Sequence, residues 1–320
     1  MIVSRSLKWS FILFYTWKSM LYFFVLSVIV YALHVSLGPN KSFTVPFNAL
    51  ATLSTALAIF LGFNNNSSYD RWWEARKIWG LLVNYSRAWA REVLTLAQEE
   101  NGEDDSEPLR QWKRKMLDRH LAFTHALRVF LRQRNGYNAN DNEAIETNNT
   151  YADIKKFLTA EEYERVLSAR NPPNQLLLDQ GEDLREAYQR GWLSDYRYVK
   201  LQETLSEFNN HQGMCERIKN TPFPRPYSYF SRMFVYMHGT LAPFAFIEDL
   251  GVLNIPLSLI VNFIFLMLDV VGERLSDPFE NRLEDTPLTS ICLTIEENVK
   301  EMAGIPDLPV KPKPVHGVVF

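Results

Sequence analysis

Seven residues, Asn48, Thr52, Thr55, Ile59, Phe63, Asn66 and Asp70, recur at spacings of three and four along one stretch of this sequence. On a helix, at about 100° per residue, they fall within a strip about 80° wide. The strip is polar, then apolar at Ile59 and Phe63, then polar again. It belongs to a stretch without a charged residue from Ser42 to Tyr69. As a helix that stretch is about 42 Å long, more than the roughly 30 Å hydrocarbon core of a bilayer. Several copies of such a helix around one axis would stack these side chains into rings. Apolar rings gate ions by dewetting, and polar rings at the mouths lower the entry cost. The same spacing also suits ordinary packing, in which small polar residues let membrane helices approach closely. Periodicity leaves both open.

Other chemistry-bearing residues are sparse. His34, His238, Glu248 and Asp249 lie in or beside apolar segments, where a proton relay or an intramembrane enzyme would need them. Glu248 and Asp249 fall at a turn, where charge is cheap, and His238 stands alone. His120 and His125 are five apart and do not share a helix face. No Ser/His/Asp order, glycine-rich phosphate loop or carboxylate dyad stands out. Cys215 and Cys292 have neither metal spacing nor a disulfide framework, so no metal and no cofactor is expected. Asp277, Glu280, Glu284 and Asp285 form a loosely acidic segment. A calcium site needs six to eight oxygen ligands. The loose spacing and the intervening Arg282 favour a solvated acidic turn.

The elements that must position these residues fall into two unlike parts. Hydrophobic residues make up 47% of the 320, enough for a large core, and the net charge of −3 argues against nucleic acid as a partner. Residues 1–63 and 229–272 are apolar and aromatic, whereas 64–225 and the tail are charged. Residues 1–18 read as an interfacial helix, with Arg5, Lys8 and Lys18 among aromatics. No cleavage pattern follows, and the apolar run continues into a span over Ser19–Gly38. Pro39–Ser42 reads as a turn and Thr44–Phe63 as the second span. Residues 64–225 are expected to form a helical cytosolic domain. Its helices are Arg71–Gln98, Leu109–Arg134, Thr159–Arg170 with a capping box at Thr159 and Glu162, Asn174–Arg190 and Ser194–Ile218. Glu99–Glu107 and Asn135–Thr150 read as loops, and Pro172 and Pro173 as a break. Residues 226–272 carry a third span, interrupted by Gly239 and Pro243, a tight turn at Glu248–Gly251, and a fourth span. Residues 273–320 read as a polar cytosolic tail, extended from Pro306 on. Lys and Arg flank the spans asymmetrically, which places both termini and the large domain inside. On that side the glycosylation triplets at Asn65, Asn66 and Asn148 are idle.

Ile59-Phe60-Leu61-Gly62-Phe63, Arg71-Trp72-Trp73 and Asp277-Pro278-Phe279, in a four-span chain of this order, resemble the bestrophin channels. Gly191–Asp195 before a helix ending at Cys215, and Asp285-Thr-Pro-Leu288 followed by Ile295-Glu296, extend the likeness over residues 1–305. The stretch from Phe60 to Lys77 is similar to the bacterial branch. The resemblance implies an all-α integral membrane protein, with four transmembrane helices continuous with the cytosolic domain, in a homopentamer around a central pore. It implies a pore neck at Thr55, Ile59 and Phe63, with Asn48, Thr52, Asn66 and Asp70 also lining the pore. Thr55 departs from the family's usual isoleucine, which implies a shorter or leakier neck. The cytosolic aperture maps to Arg197 when counted from Asp195, and to Val199 when counted from Cys215. Animal members are calcium-switched anion channels whose switch uses a dense aspartate run. Here that run is Glu280-Asn-Arg-Leu-Glu284.

Taken together, these residues point to a passive ion channel in the inner (plasma) membrane, performing no covalent chemistry. Its partners are permeating inorganic ions, membrane lipid and further copies of itself. A ring of Arg197 would favour anions and a ring of Asp70 would favour cations, and the family resemblance implies an anion, chloride-conducting, channel. The alternatives are a monovalent-cation-selective homologue and a non-conducting membrane scaffold or sensor.

Overall fold

A computed structural model describes residues 9–38, 44–99, 106–133 and 149–310, with side chains from Phe14 onward. Nine α-helices and no strand occur among these residues. They are α1 (Trp9–Leu37), α2 (Phe47–Leu96), α3 (Glu107–Arg132), α4 (Ala160–Ser168), α5 (Pro172–Gln189), α6 (Asp195–Asn220), α7 (Arg225–Leu250), α8 (Asn254–Leu275) and α9 (Leu288–Met302). The chain divides into two compact units. The described residues up to Trp72, with Pro222–Asp277, form one; Trp73–Thr221, with the described residues from Pro278 on, form the other.

The first unit holds α1, the first half of α2, α7 and α8. Three stretches are long and apolar enough to cross a membrane: Phe14–Leu37, Phe47–Leu96 and Arg225–Leu275. The last contains both α7 and α8, joined by a 3-10 turn at Gly251–Leu253. Gly251, at φ 52°, ends α7, so the turn falls just after the expected Glu248–Gly251. Opposed pairs, Gly239 with Asn262 and Arg232 with Asp269, show that α7 and α8 run antiparallel. Phe14, Trp17, Leu21, Val25, Ile29 and Val35 leave α1 exposed and apolar, as suits a lipid-facing helix.

The expected interruption of the third span at Gly239 and Pro243 is corrected by the structure: α7 is continuous through both. Pro243 has no N–H to give the Gly239 carbonyl, but the Asn262 side chain supplies the missing donor. Likewise Pro172 and Pro173 do not break the chain. They open α5, where a missing N–H costs nothing, and Asn171 caps it through the Asn174 N–H.

The second unit packs α3 at its centre, with Met116, Leu117, Leu121, Phe123 and Leu127 buried against α5, α6, α9 and the second half of α2. Trp79, Trp89 and Phe208 are its largest fully buried neighbours. The capping box at the start of α4 is present in both directions, between Thr159 and Glu162. Buried Arg119 on α3 donates to Asp183 of α5 and to Glu162 of α4. A buried ion triplet of this kind holds geometry more than it adds net stability.

Hydropathy ends the second span at Phe63 and starts a further helix at Arg71. In the structure they are one helix of 50 residues, about 75 Å long. The packing boundary on it falls between Trp72 and Trp73. A polar tail masks α9, whose Leu288, Ile291, Cys292, Ile295 and Val299 are buried at helical spacing. The expected surface segment before Trp9, the turn at Pro39–Ser42, most of the loops Glu99–Glu107 and Asn135–Thr150, and the tail beyond Val310 lie outside the described residues.

Candidate functional site

Every residue of the strip on α2 is exposed: Asn48, Thr52, Thr55, Ile59, Phe63, Asn66 and Asp70. Ile59 is 56% and Phe63 72% exposed, large values for apolar side chains in the middle of a folded helix. The buried line of the same helix is Leu50, Leu57, Leu61, Asn64 and Ser68. At about 100° per residue its mean direction lies about 170° from that of the strip. One face of α2 is therefore packed within the chain, and the opposite face is left exposed by the described residues.

The hydroxyls of the strip bond back to the helix itself. Thr52 Oγ1 donates to the Asn48 carbonyl and Thr55 Oγ1 to the Ala51 carbonyl, each at 2.9 Å. The Thr55 hydroxyl proton is thus committed within the helix, which leaves acceptor lone pairs and a methyl group on the exposed face. Ser54, on the packed flank, donates to the Leu50 carbonyl at 2.8 Å and lies 2.7 Å from His238 Nε2 on α7. His238 is therefore a packing and hydrogen-bonding residue.

The exposed face continues past the strip. Trp73, Lys77, Leu81, Asn84, Arg91 and Thr95 keep its phase on α2 and are all exposed. The sequence carries this signal, but the charged residues between them end the hydropathy pattern that would draw attention to it. Asp70 is exposed beside Arg71, which donates to the Ser276 carbonyl at 2.5 Å and stands 4.0 Å from Asp277.

On α6 the two aperture candidates differ. Arg197 is half-buried, and with the Gln98 carboxamide oxygen turned toward it donates to that oxygen at 2.7 and 2.9 Å. Val199 is 53% exposed and shares an exposed face with Tyr196, Lys200 and Glu203. Tyr196, at 89%, is the more exposed and is not singled out by its sequence context. Asp195 accepts from the Tyr188 hydroxyl at 3.0 Å.

The four acidic candidates are scattered. Asp277 faces Arg71. Glu280 pairs with Lys219 at 2.7 Å, both nearly buried. Glu284 is half-buried. Asp285 is buried and accepts from the Arg282 N–H at 3.1 Å. Burial pushes its carboxyl up to about 7, against the opposing pull of that N–H. Among the described residues no group of three or more His, Cys, Asp or Glu is arranged to hold a metal ion. His120 lies 2.9 Å from Ser86 Oγ, and full burial pushes it down to about 3. His125 donates to buried Glu296 at 3.2 Å, and burial lowers its basicity too. Glu296 also accepts from Lys156 and Lys300, each at 2.9 Å. Burial alone would raise its pKa, but these three donors outweigh it and hold it at about 2. Glu248 and Asp249 are exposed at the end of α7.

Known proteins share this architecture. The chain is 34% identical over 259 residues to the voltage-dependent anion channel-forming protein YneE of Escherichia coli (strain K12), covering 81% of this chain and 77% of that one. It is 33% identical over 288 residues to the voltage-dependent anion channel-forming protein RSc3414 of Ralstonia nicotianae, covering 89% and 86%. A crystal structure of a bacterial bestrophin homologue from Klebsiella pneumoniae superposes with a TM-score of 0.76 at 30% identity, over 89% of this chain and 97% of that one. The family model of bacterial and fungal bestrophin proteins matches residues 5–301. The chain belongs to the bestrophin family, in its bacterial and fungal branch.

Proposed function

We propose that this protein is a passive anion channel whose pathway is lined by the exposed face of α2. The observation that carries the reading is the exposure of Asn48, Thr52, Thr55, Asn66 and Asp70 directly opposite the packed line of α2. Polar side chains on a membrane-length helix are costly against hydrocarbon, and they are satisfied when they line water. Copies of the chain therefore gather with these faces inward, in number five as the family resemblance implies. Ile59 and Phe63 then form the apolar waist, and Thr55 adds a ring of methyl groups and acceptors above it. Four helices, α1, the first half of α2, α7 and α8, cross the inner membrane, with both termini and the second unit inside. The family resemblance implies a cytosolic aperture as well, for which exposed Val199 is the candidate.

Anions are favoured by the relatives named as anion channel-forming and by Lys77 and Arg91 on the continued face. The competing reading, a monovalent-cation channel, rests on the exposed Asp70. Purified protein in planar bilayers under a potassium chloride gradient separates them. A reversal potential near that of chloride supports the proposal, and one near that of potassium replaces it with the cation reading. Absence of current from pentameric protein leaves a scaffold or sensor.

A further inference from the structure

The membrane unit contains a close helix approach, between Asn65 and Gly272, that no hydrogen bond explains. Asn64 and Asn65, on α2, meet α7 and α8 there. Asn64 Nδ2 donates to Ser231 Oγ on α7 at 3.3 Å, and both residues are buried. Asn65 presses against Gly272 of α8. A Cβ built on Gly272 would stand 2.1 Å from Asn65 Oδ1, 3.3 Å from its Cγ and 3.4 Å from Asn64 Nδ2. Gly272 is an ordinary helical residue without positive φ, so its backbone does not call for glycine. What calls for it is the Asn65 carboxamide, which fills the place of the missing side chain. Asn64 Oδ1, Asn65 Oδ1 and Ser68 Oγ are buried there without hydrogen-bond partners. Three unpaired polar atoms in one helical turn are a stability cost, so the contact is poorly explained as a packing gain alone.

Its position suggests what it does. Phe63 and Asn66 flank the Asn64–Asn65 pair in sequence and are both exposed. On a helix, seating residues 64 and 65 dictates where residues 63 and 66 point. We propose that Asn65 and Gly272 are a positioning pair that sets the rotation of α2 about its own axis and thereby aims Phe63 and Asn66 into the pathway. This rests on the channel reading above. In Gly272→Ala, where α2 rather than the Asn65 side chain yields, widening the 2.1 Å separation to an ordinary contact of 3.4 Å at a side-chain radius of about 5 Å turns α2 by about 15°. Repeated in each copy, such a turn moves every Phe63 ring around the waist.

The test compares Gly272→Ala, Asn65→Ala and the double variant, with two readouts: unitary conductance in bilayers, and the rate at which a charged thiol reagent labels Asn66→Cys in each background. Cys215 and Cys292 are fully buried, which keeps the labelling background low. Gly272→Ala is expected to change both by about twofold or more, the factor that a coupling near 0.5 kcal/mol gives. The double variant, with the obstructing carboxamide gone, is expected to return toward wild type. If Gly272→Ala fails to assemble, Asn65→Gln overfills the same seat and is expected to shift both readouts in the same way. A lower melting temperature with both readouts unchanged would reduce the pair to packing and overturn the proposal. A wild-type protein that passes no current defeats the channel reading instead. In that case the labelling rates still decide whether the pair sets the rotation.

Discussion

Asn262 Nδ2 donates to the carbonyl of Gly239 at 3.2 Å, and this bond replaces the one that Pro243 takes away. Gly239 is four residues before Pro243, so its carbonyl has no intrahelical donor. In a membrane there is no water to supply one. A side chain of α8 thus completes the backbone of α7. Asn262→Leu is expected to lower stability by about 1–3 kcal/mol, the cost of an unsatisfied buried carbonyl. Thermal unfolding in detergent measures it. Pro243→Ala restores an N–H to the helix, so the same leucine substitution is expected to cost less in that background. Equal costs in the two backgrounds would show that the bond does not serve this purpose.

Gly239 has a second role in the same contact. A Cβ there would lie 2.3 Å from the ring of Phe23, which is fully buried. Gly239→Ala is expected to destabilise by about 1–3 kcal/mol, the usual cost of overpacking. Phe23→Leu in the same chain is expected to recover part of the loss, as read by the melting temperature.

The exposed strip that makes the candidate site was legible in the sequence, because a strip on one helix is a local pattern. Asn48 to Asp70 declare their shared face through spacing alone. What spacing does not declare is which face is packed, since that depends on partners far away in the chain. Asn64 and Ser68 look as suited to a pore as Asn66, yet both are buried. Gly239 and Pro243 look like an interruption because the residue that repairs them, Asn262, lies on another helix. Arg197 and Val199 are two residues apart, and what tells them apart, the nearness of Gln98 and the greater exposure of Val199, comes from the fold. The start of α9 was hidden for a different reason: its uncharged first turns lie between the acidic segment ending at Asp285 and the charged residues Glu296, Glu297, Lys300 and Glu301, so mean hydropathy over the tail conceals a clear helical period.

The aperture assignment has a direct electrical consequence. Arg197 is tied to Gln98, whereas Lys77 is exposed on the face that continues the strip. Arg197→Ala is expected to leave the reversal potential in a salt gradient unchanged, and Lys77→Glu to move it toward cations. A large shift from Arg197→Ala with none from Lys77→Glu would return the charge filter to Arg197.

Acid should weaken the second unit through Glu296. Its folded pKa of about 2 lies below the ordinary value of 4.5, so the ionised form is bound more tightly in the folded state. The resulting stabilisation is fully present above about pH 5 and is lost as pH falls toward 2. The shift corresponds to about 3 kcal/mol. Glu296→Gln is expected to be less stable than wild type at pH 6, and the gap in melting temperature is expected to narrow steadily toward pH 3. A gap independent of pH would mean that packing, not charge, sets the cost.

The waist makes the simplest functional prediction. Phe63→Ala removes the most exposed apolar side chain of the strip and widens the dewetted segment. Single-channel recording is expected to show larger conductance or longer openings. No change in either would remove Phe63 from the gate.

The central claim is that the exposed face of α2, and not its packed face, is the wall of the pathway. Blocking chloride flux from liposomes with a charged thiol reagent tests it most directly, using single cysteines at Thr52, Ile59, Phe63 and Asn66 and at Leu57, Leu61 and Ser68. Flux is predicted to fall on reagent addition for the first four and to be untouched for the last three. Block at Leu57, Leu61 and Ser68 with none at Ile59, Phe63 and Asn66 would contradict the account.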